Sequence, residues 1–274
     1  MIRLFPLFAL CAACTPTGEQ EAEKTYATQT EALSPDYRVL LAEESLGNVS
    51  WVRREASAPP PADAKAIGET WMARLEERDA LLGAGFAGKG PDGPVISLDT
   101  GLTEQEFDGW VRENGWSVPD HISWTFVPAL NLPPVADVAR DGIRVWPAST
   151  ARTGAQMEAL LYGRVELRDG CFYVGEGNSE PDKLAWFHAE MGLDRDAQGF
   201  YVLRSRVSGQ TMARIGEQMN WGGPATAVIP PQAEKALRAA CGDAPIYVVG
   251  SPESSARFNT QYPPSIPPPP PPAP

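Results

Sequence analysis

The alternation of apolar and polar residues predicts a strand-rich C-terminal half. Between residues 157 and 215, short segments rich in aromatic and branched residues are separated by turn signals. The clearest case is 163–174, where one alternating run ends at Asp169-Gly170 and a second begins at Cys171. Such spacing predicts a small barrel or a strongly bent sheet, and we expect a small, mainly antiparallel β-barrel-like domain, of which an OB-like barrel is one form. One late helix at 231–240 completes this domain.

The N-terminal half mixes helical and strand patterns. Apolar residues such as Ile67, Trp71 and Leu75 recur at helical spacing within 62–82, which predicts an amphipathic helix. Thr103 and Glu106 have the spacing of a capping box and predict the start of a second helix. The sequence therefore predicts an α+β fold, with an α+β N-terminal region at 36–147 and a β-rich C-terminal domain at 148–258.

The first residues carry an export signal. A positive start at Arg3 is followed by an apolar run at 4–13, which is too short to span a bilayer as a helix. The run ends in Ala12-Ala13-Cys14 and resembles the signal of bacterial lipoproteins. The resemblance implies removal of a signal peptide at 1–13 and lipidation of Cys14. An ordinary cleaved signal and an uncleaved apolar N-terminus are the alternatives.

The residue that follows Cys14 predicts in which membrane the protein is anchored. Thr15 follows Cys14, where Asp would imply retention at the inner membrane, so the resemblance implies an outer-membrane protein that faces the periplasm. Residues 14–35 hold few large apolar side chains and predict a disordered tether. The proline run within 259–274 predicts a disordered, extended tail. No characterised domain family is recognised in the rest of the chain.

Two cysteines remain once the export signal is assigned. Cys11 leaves with the signal peptide and Cys14 takes the lipid, so Cys171 and Cys241 form an even pair in an oxidising compartment. A disulfide between them is the leading prediction. Two buried thiols, or one reactive cysteine, are the alternatives.

Charge and motifs restrict the function classes. The formal net charge of −12 disfavours a basic surface for nucleic acid. The two histidines, His121 and His188, lie far apart, and the sequence has no His-Glu-x-x-His motif, so no metal site, cofactor or catalytic residue is assigned. Glu217, Trp221 and Trp124 are the candidates for a ligand-facing position. The eight tryptophans also suit a hydrophobic core.

These patterns together favour a lipid-anchored periplasmic envelope protein with a structural or interaction role. Its expected partners are the membrane, through the N-terminal lipid, and an envelope protein or peptidoglycan. A small-ligand or glycan-binding module that uses aromatic side chains is the first alternative. A cell-wall hydrolase is the second, and it requires two carboxyl groups at about 5 to 9.5 Å across a cleft.

Overall fold

A computed structural model describes residues 25–31, 51–88, 92–150, 152, 159–223, 227 and 229–262. The predicted signal peptide, the lipidation residue Cys14 and the proline run at 263–274 lie outside the described residues. The predicted α+β class is confirmed, because the described residues form three sheets and five helices.

The elements are numbered in chain order. The strands are β1 (Val52–Arg54), β2 (Leu81–Phe86), β3 (Val95–Thr100), β4 (Ser123–Phe126), β5 (Ala159–Arg168), β6 (Cys171–Glu176), β7 (Lys183–Phe187), β8 (Met191–Arg195), β9 (Tyr201–Ser205), β10 (Thr211–Arg214), β11 (Gln218–Gly223), β12 (Ile246–Val249) and β13 (Glu253–Ser254). The helices are α1 (Ala64–Glu77), α2 (Glu104–Glu113), α3 (Asp137–Arg140), α4 (Pro231–Cys241) and α5 (Ser255–Gln261).

The first sheet has the strand order β1-β4-β3-β2, in which only the β3–β4 pair is parallel. The predicted amphipathic helix forms α1, and its apolar residues Trp71 and Leu75 are buried in the core of this sheet. The predicted capping box is also confirmed. The Glu106 amide donates to Thr103 Oγ1 at 3.2 Å, and the Thr103 amide donates to Glu106 Oε2 at 2.8 Å.

The C-terminal strands form two open sheets rather than the predicted barrel. The larger sheet has the order β12-β7-β6-β5-β11-β13, and the smaller has the order β10-β9-β8. Among the described strands the edges β12 and β13 do not pair, so no closed barrel is present, and the barrel prediction is wrong. The physical reason is that β12 joins in parallel beside β7, while the two-residue β13 ends the opposite edge. Regular spacing of strand segments in the sequence predicts the number of strands. It does not determine whether the two edge strands of a sheet pair with each other to close a barrel.

The hydrophobic core of these two sheets begins before the predicted domain boundary. Val135, Ala139 and Ile143 pack with residues of β5 to β11. Ala139 lies on the short helix α3. The described chain therefore contributes residues from both sides of position 147 to the C-terminal core.

The predicted hairpin joins β5 and β6. Asp169 and Gly170 have φ angles of 46° and 75°, so they supply the two left-handed positions of a two-residue turn. Arg168 and Cys171 pair directly across that turn. The turn places Cys171 at the start of β6, next to the end of α4.

The predicted disulfide between Cys171 and Cys241 is present, with the two Cα atoms 5.7 Å apart. It connects the end of α4 to the first residue of β6. Nearby, the Tyr173 hydroxyl donates to the Cys241 carbonyl at 3.1 Å. Helix α4 is therefore bound to the larger sheet by a covalent link as well as by packing of Leu237 on Trp186 and its neighbours.

Residues 25–31 fall within the predicted disordered tether, but the structure places them on the hairpin. The Gln29 amide donates to the Leu167 carbonyl at 2.7 Å, and the Leu167 amide donates back at 3.0 Å. The Gly170 amide donates to the Ala27 carbonyl at 2.8 Å. We call residues 25–31 the N-terminal strap. It adds backbone hydrogen bonds beside β5, and the predicted disorder does not hold for these residues.

Candidate functional site

Both predicted ligand-facing tryptophans are core residues. Trp124 is 1% exposed, and its ring centroid lies 4.7 Å from that of Phe107. Trp221 is also 1% exposed and belongs to the core of the larger sheet. Their burial leaves no ring face for a sugar to stack on, which counts against the glycan-binding alternative at these two positions.

The predicted residue Glu217 lies in a buried polar group beside β11. The Arg214 amide donates to Glu217 Oε1 at 2.5 Å, and the Ser254 hydroxyl donates to Glu217 Oε2 at 2.9 Å. Arg257, which is fully buried, lies close enough to stabilise the carboxylate and donates from Nη2 to the Thr211 carbonyl at 2.8 Å. We call these four side chains, Glu217, Arg214, Ser254 and Arg257, the Glu217 cluster.

Burial raises the pKa of Glu217 to about 7, although both hydrogen bonds and the two arginines oppose the shift. The carboxyl also borders a cavity of about 320 Å³. The other described lining residues are Arg164, Gly216, Gln218, Ser255, Ala256 and Asn259. Glu217 is thus the one carboxylic acid among the described lining residues. A hydrolase with two acids flanking a bond has no second acid in this wall.

A second cavity, of about 430 Å³, lies between the first sheet and the C-terminal region, and we call it the junction cavity. No motif or periodicity in the sequence predicted this cavity. Its described lining residues come from four segments that are distant in sequence: Arg78, Asp79 and Ala80; Gly101, Leu102, Thr103, Gln105 and Glu106; Ala129 and Leu130; and Thr150 and Arg152.

Backbone hydrogen bonds fix the walls of the junction cavity. The Gly101 amide donates to the Ala80 carbonyl at 2.8 Å, which joins the loop after α1 to the end of β3. The Val127 amide donates to the Leu102 carbonyl at 3.2 Å, which holds the chain after β4 beside the N-terminus of α2. These bonds fix the part of the cavity wall that the first sheet and its connecting segments form.

Arg152 is the most unusual side chain in the junction cavity. Its side chain is only 10% exposed, and its Nε lies 3.8 Å from Glu190 Oε1. Its Nη1 and Nη2 atoms are buried, and neither has a hydrogen-bond partner among the described residues. Burial lowers the pKa of Arg152, and the carboxylates of Glu190 and Glu106 oppose that shift. Guanidinium groups form two parallel hydrogen bonds to oxyanions, so this wall has the chemistry to hold a carboxylate or phosphate.

No sequence signal identified Arg152. It lies in a polar connection without helical or strand periodicity, and its importance depends on contacts that only the fold creates. The capping box at Thr103 and Glu106 was the one local signal that marked part of this wall. A helix N-terminus alone, however, occurs too often to predict a site.

The described part of the chain holds no group of three or more His, Cys, Asp or Glu side chains suited to a metal ion. None of its helices has the length and apolar character that crossing a membrane requires.

Comparisons with known proteins add no family to these observations. No protein-family model matches the chain, and neither a curated protein nor a solved structure matches it. The disulfide and the two cavities are therefore the features that indicate a function.

Proposed function

We propose that this is a lipid-anchored protein of the bacterial envelope, which faces the periplasm from the outer membrane and has a structural or interaction role. The disulfide between Cys171 and Cys241 is the observation that carries the proposal, because such bonds persist in exported proteins and are rare in the cytosol. The sequence Ala12-Ala13-Cys14 supplies the lipidation signal. An envelope protein or peptidoglycan is the partner that this location favours.

The N-terminal strap supports an anchored geometry. Thr25 is the first residue of the strap, and the chain between Cys14 and Thr25 reaches at most about 40 Å when fully extended. A lipid on Cys14 would therefore hold the β5–β6 hairpin within that distance of the membrane. Any partner of this part of the protein would have to lie close to the membrane face.

Metabolic labelling with palmitate tests the anchor. We expect label on the wild-type protein in the membrane fraction, label on Cys11→Ser, and loss of label and membrane association in Cys14→Ser. Cys11→Ser is the matched control, because it changes a cysteine of the same short segment that leaves with the signal peptide. Unchanged labelling of Cys14→Ser would contradict the anchor.

The junction cavity favours a second candidate, a small-ligand-binding role. Its volume of about 430 Å³ falls within the range of small-molecule sites. Polar and charged side chains form much of its wall, so the ligand that it suits differs from the sugar that the buried tryptophans suggested. This candidate is compatible with an envelope anchor and is developed below.

A further inference from the structure

The junction cavity contains a buried cation whose hydrogen-bonding capacity is largely unused. The two Nη atoms of Arg152 carry four N–H donors, and these atoms are buried without acceptors in the part of the chain that the structure describes. Its one ion-pair contact, with Glu190, joins Nε at 3.8 Å, beyond hydrogen-bonding distance. Buried polar groups in folded proteins nearly always have a partner, so this guanidinium indicates that an acceptor belongs beside it.

The N-terminus of α2 contributes a second source of positive potential to the same wall. This helix spans ten residues, and Thr103, Gln105 and Glu106 of its cap and first turn line the cavity. The capping box engages the amides of Thr103 and Glu106. The remaining first-turn amides, which include that of Gln105, have no acceptor within the helix, and a helix N-terminus favours a negative charge.

The acidic side chains of the cavity limit the charge of the ligand. Asp79 and Glu106 also line it, and Glu190 lies beside Arg152. A dianion such as phosphate would face these three carboxylates, and the described cations nearby are Arg152, Arg78 and Arg206, the last of which already donates to the carbonyls of Leu132 and Ala189. A single carboxylate meets less repulsion and still matches the two-pronged geometry of a guanidinium.

We propose that the junction cavity binds a small organic acid, whose carboxylate is held by Arg152 at the N-terminus of α2. The remainder of the ligand occupies the volume between Ala129, Leu130 and Leu102. This site develops the small-ligand candidate and does not depend on lipidation of Cys14. A failure to bind would leave the palmitate result unchanged, and the reverse also holds.

The test is a titration of the full mature chain, labelled with ¹⁵N, with sodium acetate at constant ionic strength. We expect saturable shifts of the Arg152 Nε–H signal and of the Gln105 amide, with half-saturation at millimolar acetate. Arg152→Gln should weaken binding by about 10-fold or more, because a hydrogen bond to a charged group is lost. A parallel titration with sodium phosphate distinguishes the two oxyanions, and acetate should bind more tightly.

Two further variants keep the test decisive. Arg140→Gln removes an arginine that is 64% exposed and paired with Asp137 outside the cavity, and it should leave acetate binding unchanged. Ala129→Trp places a large ring at an exposed position of the cavity rim, and it should block binding even if Arg152→Gln fails to fold. The proposal is overturned if the wild type shows no saturable shift, if either cavity variant that folds binds as the wild type does, or if phosphate binds more tightly than acetate.

Discussion

The first sheet and the two C-terminal sheets are stabilised in different ways. In the first, aromatic rings pack directly on one another. The centroid of Trp71 lies 5.2 Å from that of Trp124 and 5.8 Å from that of Phe107. Edge and tilted contacts of this kind add to the burial of large apolar area. The residues that form this core all lie between positions 67 and 126.

The C-terminal sheets also have an apolar core. In addition, a disulfide and several hydrogen bonds join residues of these sheets that are distant in sequence. The disulfide joins residues 70 positions apart, and the strap residue Gln29 contacts Tyr201 and Ile215. The Glu217 cluster joins the end of β10, the start of β11 and β13. This comparison indicates that the second region depends on a few specific polar or covalent links, whereas the first depends on shape and apolar area.

The largest expected effect is that of Trp124→Ala on the first sheet. Removing a buried tryptophan should lower the free energy of unfolding by about 3–5 kcal/mol, through lost burial and a cavity. Urea denaturation measures it. Trp51→Ala is the matched control, because Trp51 is 47% exposed and its loss should change stability by about 0.5 kcal/mol or less. Equal effects of the two variants would contradict the aromatic core.

The disulfide should have the next largest effect, and on the second region. Cys171→Ala combined with Cys241→Ala should lower the free energy of unfolding by about 2–4 kcal/mol, because the unfolded chain gains entropy. Hydrogen exchange should show weaker protection in β6 and α4 and unchanged protection in β3 and β4. A reductant should destabilise the wild type and leave the double variant unaffected. Equal loss of protection in both regions would break the comparison.

The Glu217 cluster predicts a pH dependence of defined sign. The folded-state pKa of about 7 lies above the ordinary value of 4.5, so the folded protein binds the proton more tightly than the unfolded chain does. The free energy of unfolding should therefore fall as pH rises from 4.5 to 7, by about 3 kcal/mol relative to Glu217→Gln. Urea denaturation at several pH values measures this, with exposed Glu113→Gln as the control. A difference that grows in the opposite direction would contradict the shift.

The smallest expected effect is that of Gln29→Ala in the strap. Its amide donates to the carbonyls of Tyr201 and Ile215 at 3.1 and 2.9 Å, and its Oε1 accepts from the Tyr201 amide at 2.7 Å. Losing these bonds should lower the free energy of unfolding by about 2 kcal/mol. Thr25→Ala, at an exposed strap position, should have no measurable effect in the same urea titration. An unchanged stability of Gln29→Ala would show that the strap does not support the fold.

Some elements of both regions could be predicted from the sequence alone. Helix α1, the capping box of α2 and the β5–β6 turn were predicted because each has a local signal of periodicity, spacing or turn residues. The pairing of Cys171 with Cys241 followed from counting cysteines in an oxidising compartment. Each of these predictions depends either on residues that are neighbours in sequence or on a choice among a few possible cysteine pairings.

Other elements were not predicted, because the local sequence pattern indicated a different structure. Strand β2 begins at Leu81, within the segment 62–82 that was predicted to be helical, and it contains Gly83 and Gly85. Residues 259–274 were predicted to be a disordered tail, yet α5 extends to Gln261, and Arg257 of the same helix is fully buried. The Ser254 hydroxyl accepts from the Arg257 amide at 3.5 Å, so a serine at the helix N-cap was an available signal.

The candidate site was the least predictable part. Glu217 was named as a candidate, but its burial and raised pKa come from residues up to 40 positions away in the sequence. Arg152 had no local signal, because its partners in the junction cavity come from other segments of the chain. Positions that owe their character to tertiary contacts of this kind cannot be identified from periodicity or spacing.

The most direct test of the central proposal, an exported protein anchored at Cys14 and closed by one disulfide, is the intact mass of the protein purified from membranes in detergent. We predict the mass of residues 14–274 plus the lipid on Cys14, and no thiol alkylation before reduction but two alkylated cysteines after it. The mass of the unprocessed chain, a cleaved chain without lipid, or alkylation of Cys171 and Cys241 without reductant would contradict the proposal.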